Sequence, residues 1–139
     1  MPTSPGFVLW RISNLWQRSQ REALDPLDLT PAQLALLESV LELKGDAPVT
    51  QKRLADHAKT DPMMTSQVVR TLETKGLVRR LKHPGDKRAV SLELSPKGWK
   101  TLEKALVAMS AVDARFFEAV DPASLVEALE ALVPVPPQT

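Results

Sequence analysis

Apolar residues recur at helical spacing along most of this chain and at strand spacing in one short stretch. From Phe7 to Leu24, Val8, Ile12, Leu15 and Trp16 share one side of a helix. After Ser95, Leu102, Leu106, Met109, Val112 and Phe116 do the same. The boundaries are marked by a repeated dipeptide in which a capping residue precedes proline: Thr30-Pro31, Asp61-Pro62, Ser95-Pro96 and Asp121-Pro122. The side-chain oxygen satisfies an unpaired helix N–H, and proline in the first turn loses nothing by lacking its own. These marks predict helices over Pro31–Leu43, Pro62–Lys75, Pro96–Val120 and Pro122–Val133, besides Phe7–Leu24 and a short helix after Thr50. Gln33, three residues after Thr30, completes a capping box. Gly45 and Gly76 stand where helices stop.

Between Gly76 and Ser95 the period changes from 3.6 to 2. Val90, Leu92 and Leu94 alternate with Ser91 and Glu93, so one face of a strand is buried and the other wet. The opposing strand is expected over Leu77–Leu81, with His83-Pro84-Gly85-Asp86 as the turn. Helix, turn, helix and hairpin in that order make a winged helix-turn-helix. The predicted fold class is mainly α with a small β-hairpin wing (α+β), flanked by N- and C-terminal helices. The tail from Val133 to Thr139 holds three prolines and is expected to fray.

In the helix after Asp61, Met64, Val68 and Leu72 form an apolar stripe expected to pack on the core. Met63, Ser66 and Arg70 then face away, with Thr65 and Gln67 on the flanks. Hydroxyls, an amide, a thioether and a guanidinium near a helix N-terminus can meet base edges: Arg on guanine, Gln on adenine, Ser or Thr on either. The plain reading is an ordinary polar face.

Composition narrows the choices. With 139 residues, 43% hydrophobic and 25% charged, the chain fits a single globular domain spanning 1–139. No apolar run approaches the roughly 18 residues of a membrane span, and no signal-peptide pattern opens the chain, so a soluble cytoplasmic protein is expected. Zero cysteines remove disulfides, thiolate metal sites and thiol redox sensing. The net charge of +1 hides a segregation. Arg70 to Lys100 holds nine basic and three acidic residues, net +6, whereas the remainder carries nine basic and fourteen acidic, net −5. A localised basic surface suits phosphate neutralisation. At the hairpin tip, Asp86, Lys87 and Arg88 follow Gly85; an arginine there can enter a minor groove, with Asp86 close enough in sequence to hold it.

The runs LTPAQLALLESV, TQKRLADHAKTDPMMTSQVVRTLETKGLVRR and GDKRAVSLELSPKG, in this order and spacing, resemble the MarR family of bacterial transcription regulators over about Leu29–Leu106. The resemblance implies a homodimer in which the terminal helices interdigitate, about 7–24 and 96–133, with a DNA-binding region at about 29–98. It puts Ser66, Gln67 and Arg70 in the recognition helix and makes Asp86 and Arg88 the wing's Asp-x-Arg pair. Thr50 and Gln51 fall at a helix start that grips phosphate. Gln67 stands where many members carry arginine. It also implies a small aromatic anionic effector that relieves repression, with Trp10, Arg11 and Trp16 as candidate pocket residues; the alternative for both tryptophans is core or interface packing.

The terminal stripes agree on physical grounds, since they lie outside a compact winged helix and need a cover. No cofactor or metal is implied: His57 and His83 are the only histidines and are expected in solvent. No catalytic order of Ser, His and Asp and no Gly-rich phosphate loop occurs, so no enzyme is expected. The expected function is a dimeric transcriptional repressor reading double-stranded DNA through a pseudo-palindromic operator. The alternative is a winged-helix protein–protein interaction module that does not bind DNA.

Overall fold

The computed structural model describes residues 3–45, 47–83 and 86–134, with the side chains of 83 and 86–89 excepted. The predicted order is found: α1 (Pro5–Leu24), a 3-10 turn (Asp25–Leu27), α2 (Pro31–Leu43), α3 (Gln51–Ala58), α4 (Pro62–Thr74), β1 (Val78–His83), β2 (Asp86–Leu94), α5 (Pro96–Phe116) and α6 (Pro122–Glu130). Each capping dipeptide acts as its chemistry requires. Asp61 accepts from Met64 N at 2.8 Å, Ser95 from Gly98 N at 2.9 Å and Asp121 from Ser124 N at 3.1 Å, while Thr30 and Gln33 form the reciprocal box. Ser4-Pro5 is a fifth instance, so α1 starts two residues before the expected Phe7.

Helix ends differ more. α5 stops at Phe116, not Val120, and the residues after it close through a Val120 N to Phe117 O bond of 3.1 Å. α6 ends at Glu130, and Leu132 and Val133 tighten into i→i+3 bonds beyond it. At the end of α4, Gly76 takes φ +74°, a left-handed value that only glycine adopts freely. Its N–H bonds Glu73 O and the next N–H, of Leu77, bonds Leu72 O, both at 2.9 Å, forming a Schellman motif. Leu77 therefore belongs to the helix stop, and β1 begins one residue later than expected.

β1 and β2 pair antiparallel, Val78 opposite Leu94 and Arg80 opposite Leu92, with an irregularity after Lys82. β2 runs from Asp86, longer than the alternation alone indicated. Leu92 N also bonds Val49 O at 2.8 Å, which ties the segment before α3 to the hairpin. The tip residues Pro84 and Gly85 lie outside the described residues.

The core gathers around α2, whose Leu34, Leu36, Leu37 and Val40 are all buried, so this helix is enclosed rather than one-sided. Leu24, Leu54, Val69, Leu72, Val78, Leu92 and Leu102 complete it. The first half of α5 serves this core through Leu102, Ala105 and Met109, whereas Leu106 and Val107 stay exposed. On α1 only Gln20 and Leu24 are buried; Phe7, Val8, Leu9, Trp10, Ile12 and Leu15 are open.

Where α1, α2 and α5 meet, Trp16 Nε1 donates to Asp113 Oδ1 at 2.8 Å. Glu38 on α2 has its pKa raised, first by burial and then by the Glu42 and Asp113 carboxylates. A carboxylate whose folded-state pKa is raised weakens the fold as pH climbs from its ordinary 4.5 through that higher value. Glu38→Gln is therefore expected to raise the melting temperature at pH 7, with the gain vanishing below the ordinary carboxylate range. Melting curves at pH 7 and pH 4 check this, and an unchanged or lower value at pH 7 contradicts it.

Candidate nucleic-acid interface

α3 and α4 form the helix-turn-helix, and the turn between them is closed by side chains. Lys59 adopts the left-handed region at φ 59°, and its N–H and that of Thr60 both turn back to Ala55 O. Thr65 Oγ1 donates to Asp61 O at 2.8 Å and lies 2.7 Å from Thr60 Oγ1. With the Thr65 proton committed to Asp61, the Thr60 hydroxyl is the donor of the second bond. Thr65 is 1% exposed.

This corrects the expected phase of α4. The inward stripe is Thr65, Val69 and Leu72, with Val68 half-buried and Met64 exposed. Hydrophobicity ranks Met64 above Thr65 as a core residue, but the turn supplies both hydrogen bonds that make a buried hydroxyl tolerable. Thr65 is thus a structural residue of the turn and its side chain is withdrawn from any groove-facing set. Met63, Gln67 and Arg70 are exposed and Ser66 half-buried on the opposite face. Arg70 Nη2 lies 3.5 Å from Ser66 Oγ, a long contact at the limit of hydrogen bonding. Thr71 and Thr74 donate to the carbonyls four residues back, of Gln67 and Arg70.

Three ties fix how α4 sits. Arg80, on the inner face of β1, donates from Nε to Glu73 Oε1 at 2.6 Å and links the helix to the hairpin. Lys75 Nζ donates to Asp28 O and, at 2.9 Å, to Gln33 Oε1, which fastens the end of α4 to the start of α2. Lys97 Nζ donates to Lys75 O at 2.9 Å. On the outer face of the hairpin, Arg79 pairs with Glu93 across the strands at 2.7 Å. Four of the nine basic residues behind the +6 count are therefore partly committed to holding the fold. Residue counting misses this, because the pairs span 7 to 47 positions of sequence.

Thr50 caps α3, its Oγ1 accepting from Arg53 N at 3.2 Å, with half-buried Gln51 next. Arg53 itself is turned back onto Ala47 O and Pro48 O. His57 is exposed, as expected, and its Nε2 also lies 2.6 Å from Glu42 Oε2, which joins α3 to α2 at the surface. The side chains of Asp86, Lys87, Arg88 and His83 lie outside the described residues, so the Asp86–Arg88 pairing is not among the contacts described.

The three candidates on α1, Trp10, Arg11 and Trp16, sit in different surroundings. Trp10 is open to solvent, Arg11 lies over the Phe7 ring at 5.7 Å, and Trp16 packs on the core with its N–H on Asp113. The hollow between α1 and α5 is lined instead by Ser19, Glu22, Ala23, Val112, Arg115 and Phe116. Among the described residues no helix is long and apolar enough to cross a membrane.

Comparison with known proteins agrees with this geometry. The MarR family model matches residues 29–90, the stretch from the start of α2 into β2. YdcH of Bacillus subtilis, an HTH-type transcriptional regulator, is 45% identical over 118 residues, covering 84% of this chain and 80% of that protein. The HTH-type transcriptional repressor Rv2887 of Mycobacterium tuberculosis is 28% identical over 110 residues, 79% of this chain and 77% of its own length. A crystal structure of a mutant MarR from E. coli complexed with operator DNA superposes with a TM-score of 0.81 at 26% identity, covering 93% of both chains. With this fold, this order of elements and these relatives, the chain belongs to the MarR family of helix-turn-helix transcriptional regulators.

Proposed function

We propose that two copies of this chain form a repressor that grips a pseudo-palindromic DNA operator. One observation carries the reading: α4 turns Met63, Ser66, Gln67 and Arg70 outward, and its other faces are locked to α2, the turn and the hairpin. Such a helix presents base-competent groups on a rigid support, which is what major-groove reading needs. The start of α3, with Thr50 and Gln51, takes a backbone phosphate, and the wing residues Asp86, Lys87 and Arg88 go to the minor groove. The open apolar faces of α1 and α6 and the exposed Leu106 and Val107 of α5 supply the self-association surface. Pairing them sets two α4 helices about one DNA turn, roughly 34 Å, apart. The direction of regulation follows the repressor relative. A small aromatic anion acting at the α1–α5 hollow, beside Arg115 and Phe116, relieves repression. The protein works in the cytoplasm, on double-stranded DNA.

The test is an electrophoretic mobility shift with the DNA upstream of the chain's own gene, run across a salt series. Six to ten phosphate contacts per dimer predict a loss of about a thousandfold or more between 50 and 200 mM salt. Binding that is absent, or equal on unrelated DNA, favours the protein-contact module instead. Sedimentation showing only monomer at micromolar concentration removes the two-half-site arrangement.

A further inference from the structure

Met63 is the most exposed large apolar side chain among the described residues, at 75%. It sits in the first turn of α4, directly after Pro62, where the N-terminal residues of a recognition helix meet base edges. At 100° per residue Met63, Ser66, Gln67 and Arg70 fall within one third of the helix circumference, so the thioether side chain lies in the middle of a polar stripe. It contributes nothing to the core, because the inward stripe is Thr65, Val69 and Leu72. An isolated apolar chain on a monomer surface is unremarkable, but here its neighbours on the same face are all base-competent groups. The major groove offers one apolar feature to such a side chain, the 5-methyl group of thymine.

We propose that Met63 reads a thymine 5-methyl group in each half-site, making it a specificity-determining residue. This rests on the operator-binding reading above. Seven residues separate Met63 from Arg70, a rise of about 10 Å along the helix, against roughly 3.4 Å per base step. The thymine therefore lies within about three base pairs of the base that Arg70 contacts. The contact is dispersive and removes apolar surface from water on both partners, so it needs no fixed geometry and suits a flexible methionine.

The experiment selects tight duplexes from a random 30-bp library and resynthesises the winner with each thymine replaced singly by uracil, which deletes only the methyl. Wild-type protein is expected to lose about threefold to fivefold in affinity at one thymine per half-site and little elsewhere. Met63→Ala should bind the thymine duplex more weakly and show no thymine–uracil difference at that position, while Met63→Leu should keep it. Equal affinity for every uracil duplex, or a penalty that persists unchanged in Met63→Ala, overturns the proposal while leaving operator binding intact. Failure to select any duplex removes the operator reading, and this proposal with it.

Discussion

Gly98→Ala is expected to lower stability by about 3 kcal/mol, or roughly 10 °C in melting temperature for a chain of this size. A Cβ at this position would lie 2.0 Å from Leu77 O and 3.0 Å from Leu77 C, both backbone atoms. Neither atom is free to retreat. Leu77 N closes the Schellman motif on Leu72 O, Leu77 O accepts from Ser95 N at 3.0 Å, and the Ser95 hydroxyl joins Gly98 N to Gly76 O. Moving Leu77 would disturb the end of α4, the start of β1 and the cap of α5 together. The helix-propensity gain of alanine over glycine, up to about 1 kcal/mol, is too small to offset that. Gly6→Ala is the matched control: it is also in a first helical turn, but nothing lies within 4 Å of its added Cβ. Thermal melting at one fixed protein concentration decides, since self-association makes the midpoint concentration-dependent. An unchanged midpoint for Gly98→Ala would mean that α5 does not seat on the hairpin stop as described.

Arg70→Ala is expected to behave in the opposite way, with a large loss of DNA affinity and almost none of stability. The side chain is exposed and its contact to Ser66 is long, so truncating it should change folding by no more than about 0.5 kcal/mol. A bidentate arginine–guanine contact discriminates by about 1–3 kcal/mol, and a symmetric dimer makes it twice, giving at least roughly a 30-fold loss. Preference should also flatten at one base pair in each half-site, which titration of single-substitution duplexes would reveal. Lys75→Ala is the informative comparison: it removes equal charge, but its ammonium is bonded to Asp28 O and Gln33. That variant should melt earlier and weaken all duplexes alike. If Arg70→Ala lost affinity without any change in base preference, Arg70 would be a phosphate contact rather than a reader.

The contrast between these two basic residues marks where sequence reading stops. Helix starts were legible because they depend on local chemistry: an oxygen three residues before an N–H, beside a proline. Helix stops are less so: α5 and α6 end at Phe116 and Glu130, short of where their apolar patterns run, because such a pattern does not register the loss of i→i−4 bonds. The phase of α4 slipped by one residue for a related reason. Met64 looks more buriable than Thr65, and only the folded turn, with Thr60 and Asp61 beside it, reveals two partners for the threonine hydroxyl. Met63, Ser66, Gln67 and Arg70 still lie on the outward face, since Leu72 is common to both inward stripes and their mean directions differ by only about 70° at 100° per residue.

By itself, then, the sequence determined the kinds and order of the elements, the family, the segregation of charge and the outward side of α4. The family rests on the resemblance of three motif runs; the rest follows from periodicity, capping and composition, all of which act over a few residues. Only the tertiary structure decided which charges are spent within the chain, through Glu73–Arg80, Arg79–Glu93 and Lys75 on Asp28 and Gln33. It alone shows that Trp16 is held by Asp113, 97 positions away, and that Gly98 is required by a carbonyl of another element. Such contacts join residues that no local rule relates, and they exist only once the core around α2 has brought their helices together.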